Sequence, residues 1–142
     1  MEPKKNFDFI GDHSMRFLDM ALRMDRLEII TDPDGYGKRT GDCGDTVEMF
    51  LKVSGDTLSF VSFNIDGCIN THACANAVVN LVEGKKIDEA WEINVEKVVN
   101  YLETLPHEKI HCAELAVGAL YLALKNFQEL SKSPWKKMYQ KQ

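Results

Sequence analysis

Three cysteines stand where the chain changes direction, and their positions suggest thiolate chemistry. Cys43 lies within Gly41-Asp42-Cys43-Gly44-Asp45, between two glycines that let the backbone turn sharply and leave the sulfur exposed. Cys68 follows Asp66-Gly67 at the end of an expected strand, just before a helix, and Cys112 falls in the first turn of the last expected helix. Helix starts offer free N–H groups and the positive end of the dipole, which favour thiolate over thiol. The thiolate is the form that binds metal and attacks sulfane sulfur. Two neighbours complete a ligand set: Asp45, two positions after Cys43 across a tight loop, and His111, immediately before Cys112.

Cys74 serves as a contrast. It falls in phase with Ala77, Val78, Leu81 and Val82, and six helical residues turn it about 240° away from Cys68, so it is expected to be a small buried hydrophobe. His13, His72 and His107 have no cysteine beside them and are given no site role. The chain contains no Cys-x-x-Cys, which argues against a zinc ribbon or a thioredoxin-like pair. It also lacks a Walker loop and a dinucleotide-binding glycine fingerprint. The residues therefore define a mixed-ligand metal or sulfur site drawn from Cys43, Asp45, Cys68, His111 and Cys112.

The elements that must position these residues are legible from periodicity. From about Asp12 to Met24, Met15, Leu18, Ala21 and Leu22 fall at helical spacing, with Asp12 or Ser14 as cap. A turn-rich loop, Thr31 to Gly37, comes next. Val47, Met49, Leu51 and Val53 then alternate with Thr46, Glu48 and Lys52, while Phe50 joins the polar face. A turn at Ser54-Gly55-Asp56 leads to a partner strand from Leu58 to Ile65. Helices follow: one ending near Gly84, one capped by Asn94 with the stripe Val95, Val98, Val99 and Leu102, and one starting around His111 that buries Leu115, Ala116, Ala119, Leu120, Ala123 and Phe127. Strands first and helices afterwards imply an α+β fold, a small antiparallel sheet with helices packed on one face.

A chain of 142 residues suits a single domain, 1–142, with a core from about 12 to 130. The lysines at 132, 136, 137 and 141 contribute +4 of the formal −5, so residues 1–130 carry −9. Nucleic-acid binding is therefore not expected, and the tail 131–142 is a solvated end or a docking handle. No window is apolar enough to span a membrane, and the start is too short and acidic for a signal peptide. The expected compartment is the cytosol, where cysteines serve as thiols, ligands or catalysts rather than disulfides.

These residues resemble the iron–sulfur scaffold family of IscU and the N-terminal domain of NifU. The resemblance rests on Gly41-Asp42-Cys43-Gly44-Asp45 before a strand and Asp66-Gly67-Cys68 before a helix. It continues through Glu83-Gly84-Lys85-Lys86-Ile87-Asp88-Glu89-Ala90 to Lys109-Ile110-His111-Cys112, and covers roughly residues 37–127. It implies that Cys43, Cys68 and Cys112 are the cluster and sulfur-accepting cysteines. By the same resemblance Asp45 is the aspartate that tunes cluster lability, His111 a potential alternative ligand, and Lys109 the lysine just before that histidine. The chain departs from the family in having no Asn-Pro-Arg-Asn stretch and in reading Ile69-Asn70-Thr71-His72 where small residues are usual. Leu105-Pro106-His107-Glu108-Lys109 replaces the family's Leu-Pro-Pro-Val-Lys, so recruitment of the Hsp70-type chaperone is not carried over. The insertion between the second and third cysteines of zinc-containing SufU proteins is absent.

The resemblance implies a non-enzymatic scaffold on which a [2Fe–2S] cluster is assembled from iron and the sulfur of a cysteine desulfurase, then transferred to apo iron–sulfur proteins. One alternative is a zinc-bound sulfur acceptor, Zn²⁺ resting on the same cysteines with Asp45 or His111. The other is a purely structural zinc domain, which requires a closed four-ligand site.

Overall fold

The alternation that starts at residue 46 forms the centre of a sheet in the computed structural model of this chain, which describes Gly11 and residues 13–132. Strand β1 spans Gly35–Thr40, β2 Thr46–Ser54 and β3 Thr57–Asp66. They form an antiparallel sheet in the order β1-β2-β3. Ser54 pairs with Thr57 across the two-residue turn and Thr46 with Asp66 at the far end, with a register shift at Lys52/Val53. On the other side of β2, Gly35 faces Leu51 and Thr40 faces Thr46.

Helices α1 (Met15–Leu22), α2 (Ile69–Val82), α3 (Ile87–Ala90), α4 (Val95–Leu102) and α5 (Ile110–Lys132) complete the domain, with a 3₁₀ turn at His107–Lys109 before α5. Ser14 caps α1, its hydroxyl accepting from Phe17 N at 3.1 Å, an interaction worth about 1 kcal/mol. Asn94 caps α4 in the same way, accepting from Lys97 N at 2.8 Å. Asp12, the alternative cap, lies outside the described residues. The expected α+β class, with helices on one face of a small antiparallel sheet, is observed.

Three details differ from the sequence expectation. Two strands were expected and three are present, because Gly35 and Gly37 belong to β1 rather than to a loop. A Cβ on Gly37 would stand 2.4 Å from both Ala119 O and Ala123 N, so these glycines let the α5 backbone lie directly on the strand. The buried face of α1 is Phe17, Leu18, Met20 and Ala21, while Met15 and Leu22 are exposed. Rotating the stripe this way buries a phenylalanine and a methionine, the larger apolar area. Phe50 does point away from the helices, yet it is buried, its ring 5.3 Å from that of Tyr36.

The core is continuous from α1 through the sheet to α2, α4 and α5, and contains both Cys74 and Cys112. The segment after α1 is tied along β3. Phe63 N donates to Arg26 O and Glu28 N to Phe63 O, each at 2.9 Å. The Arg26 guanidinium grips Glu83 at 2.9 and 3.1 Å, and Glu83 also accepts from Val61 N at 2.9 Å. This paired, charge-assisted arrangement fixes both partners in direction as well as in distance. No helix among the described residues is long and apolar enough to cross a membrane.

Candidate metal centre

Sheet register and helix direction together deliver the site. Because Thr46 pairs with Asp66, Asp45 lies beside Gly67 and Cys68 at one end of the sheet. Helix α5 runs antiparallel to β1, with Ala123 over Gly35, Ala119 over Gly37 and Leu115 beside Gly41, so its N-terminal turn arrives at the same end. The hairpin turn is closed by Gly44 N donating to Gly41 O at 3.0 Å and Gly41 N to Asp45 O at 2.9 Å. Gly44 has φ +93, a conformation that residues with a Cβ rarely adopt.

Asp45, Cys68 and Cys112 converge, one ligand atom from each lying within 4.8 Å of the others. They come from a turn, a strand end and a helix start, remote in sequence and adjacent in space. Cys43 is exposed on the turn and is not part of this trio. It lines a neighbouring open cavity of about 300 Å³ together with Arg39, His111, Glu114 and Leu115. His111 is exposed, and its Nε2 lies 3.7 Å from Cys112 Sγ, which links the cavity to the trio. Of the five expected ligands, three are thus brought together, and Cys43 and His111 stand at the adjoining wall. All four cysteines are free thiols.

The two thiols of the trio differ electrostatically. Burial raises the Cys68 pKa, but the backbone N–H groups of Thr71 and Asn70 at the helix start, with their side chains, outweigh it and hold the thiol below its ordinary value. Cys112 is fully buried, and that burial pushes its thiol up; nearby Cys68 and Asp45 add to the rise, against the Thr71 hydroxyl and Lys109. The helix start was expected to favour thiolate at both positions, and that expectation is corrected for Cys112: its position in the first turn of α5 does not overcome desolvation. Cys74 is fully buried in the core as expected, and burial raises its thiol well above the ordinary value.

Sequence reasoning missed Thr71. It is fully buried, and its hydroxyl donates to Asp45 Oδ2 at 2.9 Å while lying 3.5 Å from Cys112 Sγ and 3.7 Å from Cys68 Sγ. The available signal was its spacing, three residues after a helix-capping cysteine and so on the same face. The other histidines have structural partners. His13 Nδ1 is 2.7 Å from Thr104 Oγ1, and the buried His72 places Nε2 2.5 Å from Arg23 O with its ring edge-on to Phe63. His107 is exposed in the 3₁₀ turn. The lysines at 136, 137 and 141 in the basic tail lie outside the described residues.

With the geometry in place, the comparisons with known proteins converge on one class. The family model described as NifU-like N terminal domain matches residues 29–133. This chain belongs to that family. It is 37% identical over 87 residues to an iron–sulfur cluster assembly protein IscU of Plasmodium falciparum, covering 61% of this chain and 53% of that protein. It is 32% identical over 99 residues to the iron–sulfur cluster assembly scaffold protein IscU 1 of Archaeoglobus fulgidus, covering 69% of this chain and 65% of that one. The chain thus spans between about half and two thirds of the length of these relatives. Among solved structures, the N-terminal part of a nitrogen-fixing NifU-like protein from Brucella abortus superposes with a TM-score of 0.68 at 18% identity, covering 86% of this chain and 99% of that one. That likeness establishes the fold.

Proposed function

We propose that this chain is a scaffold on which a [2Fe–2S] cluster is assembled from iron and desulfurase-derived sulfur and then passed to apo iron–sulfur proteins. The observation that carries the reading is the convergence of Asp45, Cys68 and Cys112 within 4.8 Å, beside exposed Cys43. The names of the Plasmodium and Archaeoglobus relatives support it. The whole chain, 1–142, acts in this reading as one scaffold domain. The chemistry uses free thiols and suits a reducing compartment such as the cytosol.

Sulfur enters at Cys68, whose thiol is held below its ordinary pKa by the hydrogen bonds at the start of α2. The thiolate attacks the terminal sulfur of a desulfurase persulfide; the donor's S–S bond breaks, the donor cysteine leaves as thiolate, and Cys68 carries the new persulfide. Two electrons from an external reductant, a thiol or a ferredoxin-type donor, cleave that bond to sulfide and regenerate the Cys68 thiolate. Iron is held by Cys43, Cys68, Cys112 and Asp45, with His111 adjacent. A carboxylate is a poorer match for cluster iron than a fourth thiolate, so the Asp45 position is where an incoming recipient thiolate begins transfer.

The compactness of the trio favours one second reading, a zinc-bound sulfur acceptor. Zinc bonds sulfur at about 2.3 Å, so ligand atoms this close together also suit a single tetrahedral ion. Anaerobic incubation with desulfurase, cysteine and ferrous iron separates the two. The scaffold reading expects equal iron and acid-labile sulfide, a visible cluster spectrum, and transfer to an apo-ferredoxin. Iron without labile sulfide, or sulfur acceptance that requires zinc and yields no cluster, would refute it.

A further inference from the structure

We propose that Thr71 is a positioning residue of this site, its hydroxyl holding the Asp45 carboxylate beside Cys68 and Cys112 in a seat that Gly67 leaves open. The inference rests on the proposed function and deepens it by naming the residues that fix the fourth ligand.

The first line of argument is the hydroxyl itself. A threonine hydroxyl has one hydrogen to give. Its shortest contact in the trio is with Asp45 Oδ2, at 2.9 Å, whereas the Cys112 and Cys68 sulfurs lie at 3.5 and 3.7 Å. The carboxylate is therefore the hydroxyl's principal acceptor, with the two sulfurs as longer and weaker partners. Thr71 lies in the first turn of α2 and is fully buried, and its branched Cβ restricts χ1, so the direction of the hydroxyl is set by the helix. Asp45, by contrast, ends a turn next to Gly44, which has φ +93 and nothing within 4 Å of an added Cβ. The carboxylate thus comes from a solvent-facing turn, and its anchor belongs to a buried helix face.

The second line is independent of the hydrogen bond. A Cβ added at Gly67 would stand 2.9 Å from Thr71 Oγ1, 3.0 Å from Asp45 Oδ2 and 3.1 Å from Asp45 Cγ. Any side chain at 67 would press on this one pair. With one carboxylate oxygen engaged by Thr71, Asp45 keeps a second oxygen that could serve as a ligand atom. Hydrogen-bond partners of ligating carboxylates fix ligand orientation, and their loss commonly costs 10–100-fold in metal affinity.

The test uses the full chain, purified metal-free, titrated with cobalt(II), whose thiolate charge-transfer and d–d absorptions report ligation. Thr71→Val keeps shape and removes the hydroxyl; Thr71→Ser keeps the hydroxyl. The expectation for Thr71→Val is about tenfold weaker cobalt binding with a shifted d–d band, while Thr71→Ser stays within about threefold of wild type. Gly67→Ala presses on the same pair from the other side and should weaken binding comparably, so the test survives if Thr71→Val fails to fold. A purely structural role would move the melting temperature and leave the cobalt spectrum of the folded variants unchanged. Wild-type affinity and spectrum in Thr71→Val, or equal losses in Thr71→Val and Thr71→Ser, would overturn the proposal. A wild-type chain with no charge-transfer band at all would instead bring down the metal site on which the proposed function rests, and this inference with it.

Discussion

Gly37→Ala tests the link between the packing of the fold and the geometry of the site. The new Cβ would lie 2.4 Å from Ala119 O and Ala123 N and 2.8 Å from Leu122 Cβ. The two nearest atoms are backbone, so no rotamer change relieves the contact. Reaching an ordinary separation of about 3.4 Å requires β1 and α5 to part by roughly 1 Å, an overpacking that costs about 1–3 kcal/mol. For a domain of this size that lowers the melting temperature by roughly 3–10 °C. The displaced helix carries Cys112 about seven residues, or roughly 10 Å, before Ala119. Metal sites tolerate ligand displacements of only about 0.2 Å, so cobalt or zinc affinity should fall along with stability even though no ligand has changed. Thermal melts and a cobalt titration on the same preparation read both effects. A variant with wild-type melting temperature and wild-type affinity would show that α5 does not rest on β1 through this glycine, and the account of how Cys112 is positioned would fail.

Three further predictions separate core from site. Cys74→Ser should cost about 1–3 kcal/mol, because it places a hydroxyl in the fully buried core, while leaving cobalt ligation and cluster assembly intact. Loss of cluster in Cys74→Ser with the fold retained would contradict the assignment. Cysteine alkylation followed by peptide mapping should modify Cys68 before Cys112 at neutral pH, since hydrogen bonding lowers the Cys68 pKa and burial raises that of Cys112. The same shifts fix the pH dependence of stability. A raised thiol favours the neutral folded form, so the contributions of Cys74 and Cys112 are fully present below the ordinary thiol value of 9.0 and are lost as pH rises toward their folded values. Stability should therefore decline above about pH 9, and a Cys112 that is alkylated first would refute the electrostatic picture.

The sequence made some elements easier to read than others, for a physical reason. Helix α4 and the β2–β3 hairpin were legible because a single local signal decided each, the Asn94 cap in one and period-two alternation through a Gly55 turn in the other. Strand β1 was not, because Gly35-Tyr36-Gly37 carries the local signature of a turn. What makes it a strand is its pairing with β2, and what requires its glycines is a helix more than 80 residues away, whose backbone needs the space that the two missing Cβ atoms leave. The phase of α1 was half legible for a related reason: Leu18 and Ala21 are buried as expected, but Met15 and Leu22 satisfy helical spacing as well as Phe17 and Met20 do, and only the shape of the surface beneath decides between them.

The site shows the same division. Residue type and placement at element ends were enough to nominate Cys43, Cys68 and Cys112, and adjacency to a candidate cysteine added Asp45 and His111, although only Asp45, Cys68 and Cys112 converge. Periodicity was enough to set Cys74 aside. The arrangement itself was not legible, since it depends on the register shift at Lys52/Val53 that brings Thr46 opposite Asp66 and on α5 running back along β1, and neither has a local signature. The direction of the Cys112 pKa shift was misjudged because a helix start is visible in sequence and burial is not. Thr71 was missed for the deepest reason: a buried threonine in a helix usually needs no explanation beyond packing, and only coordinates reveal that its hydroxyl lies between a carboxylate and two sulfurs. Residues that supply ligand atoms can be nominated by their chemistry, whereas those that hold the ligands in place are ordinary residues defined by position, and structure adds most to the functional reading there.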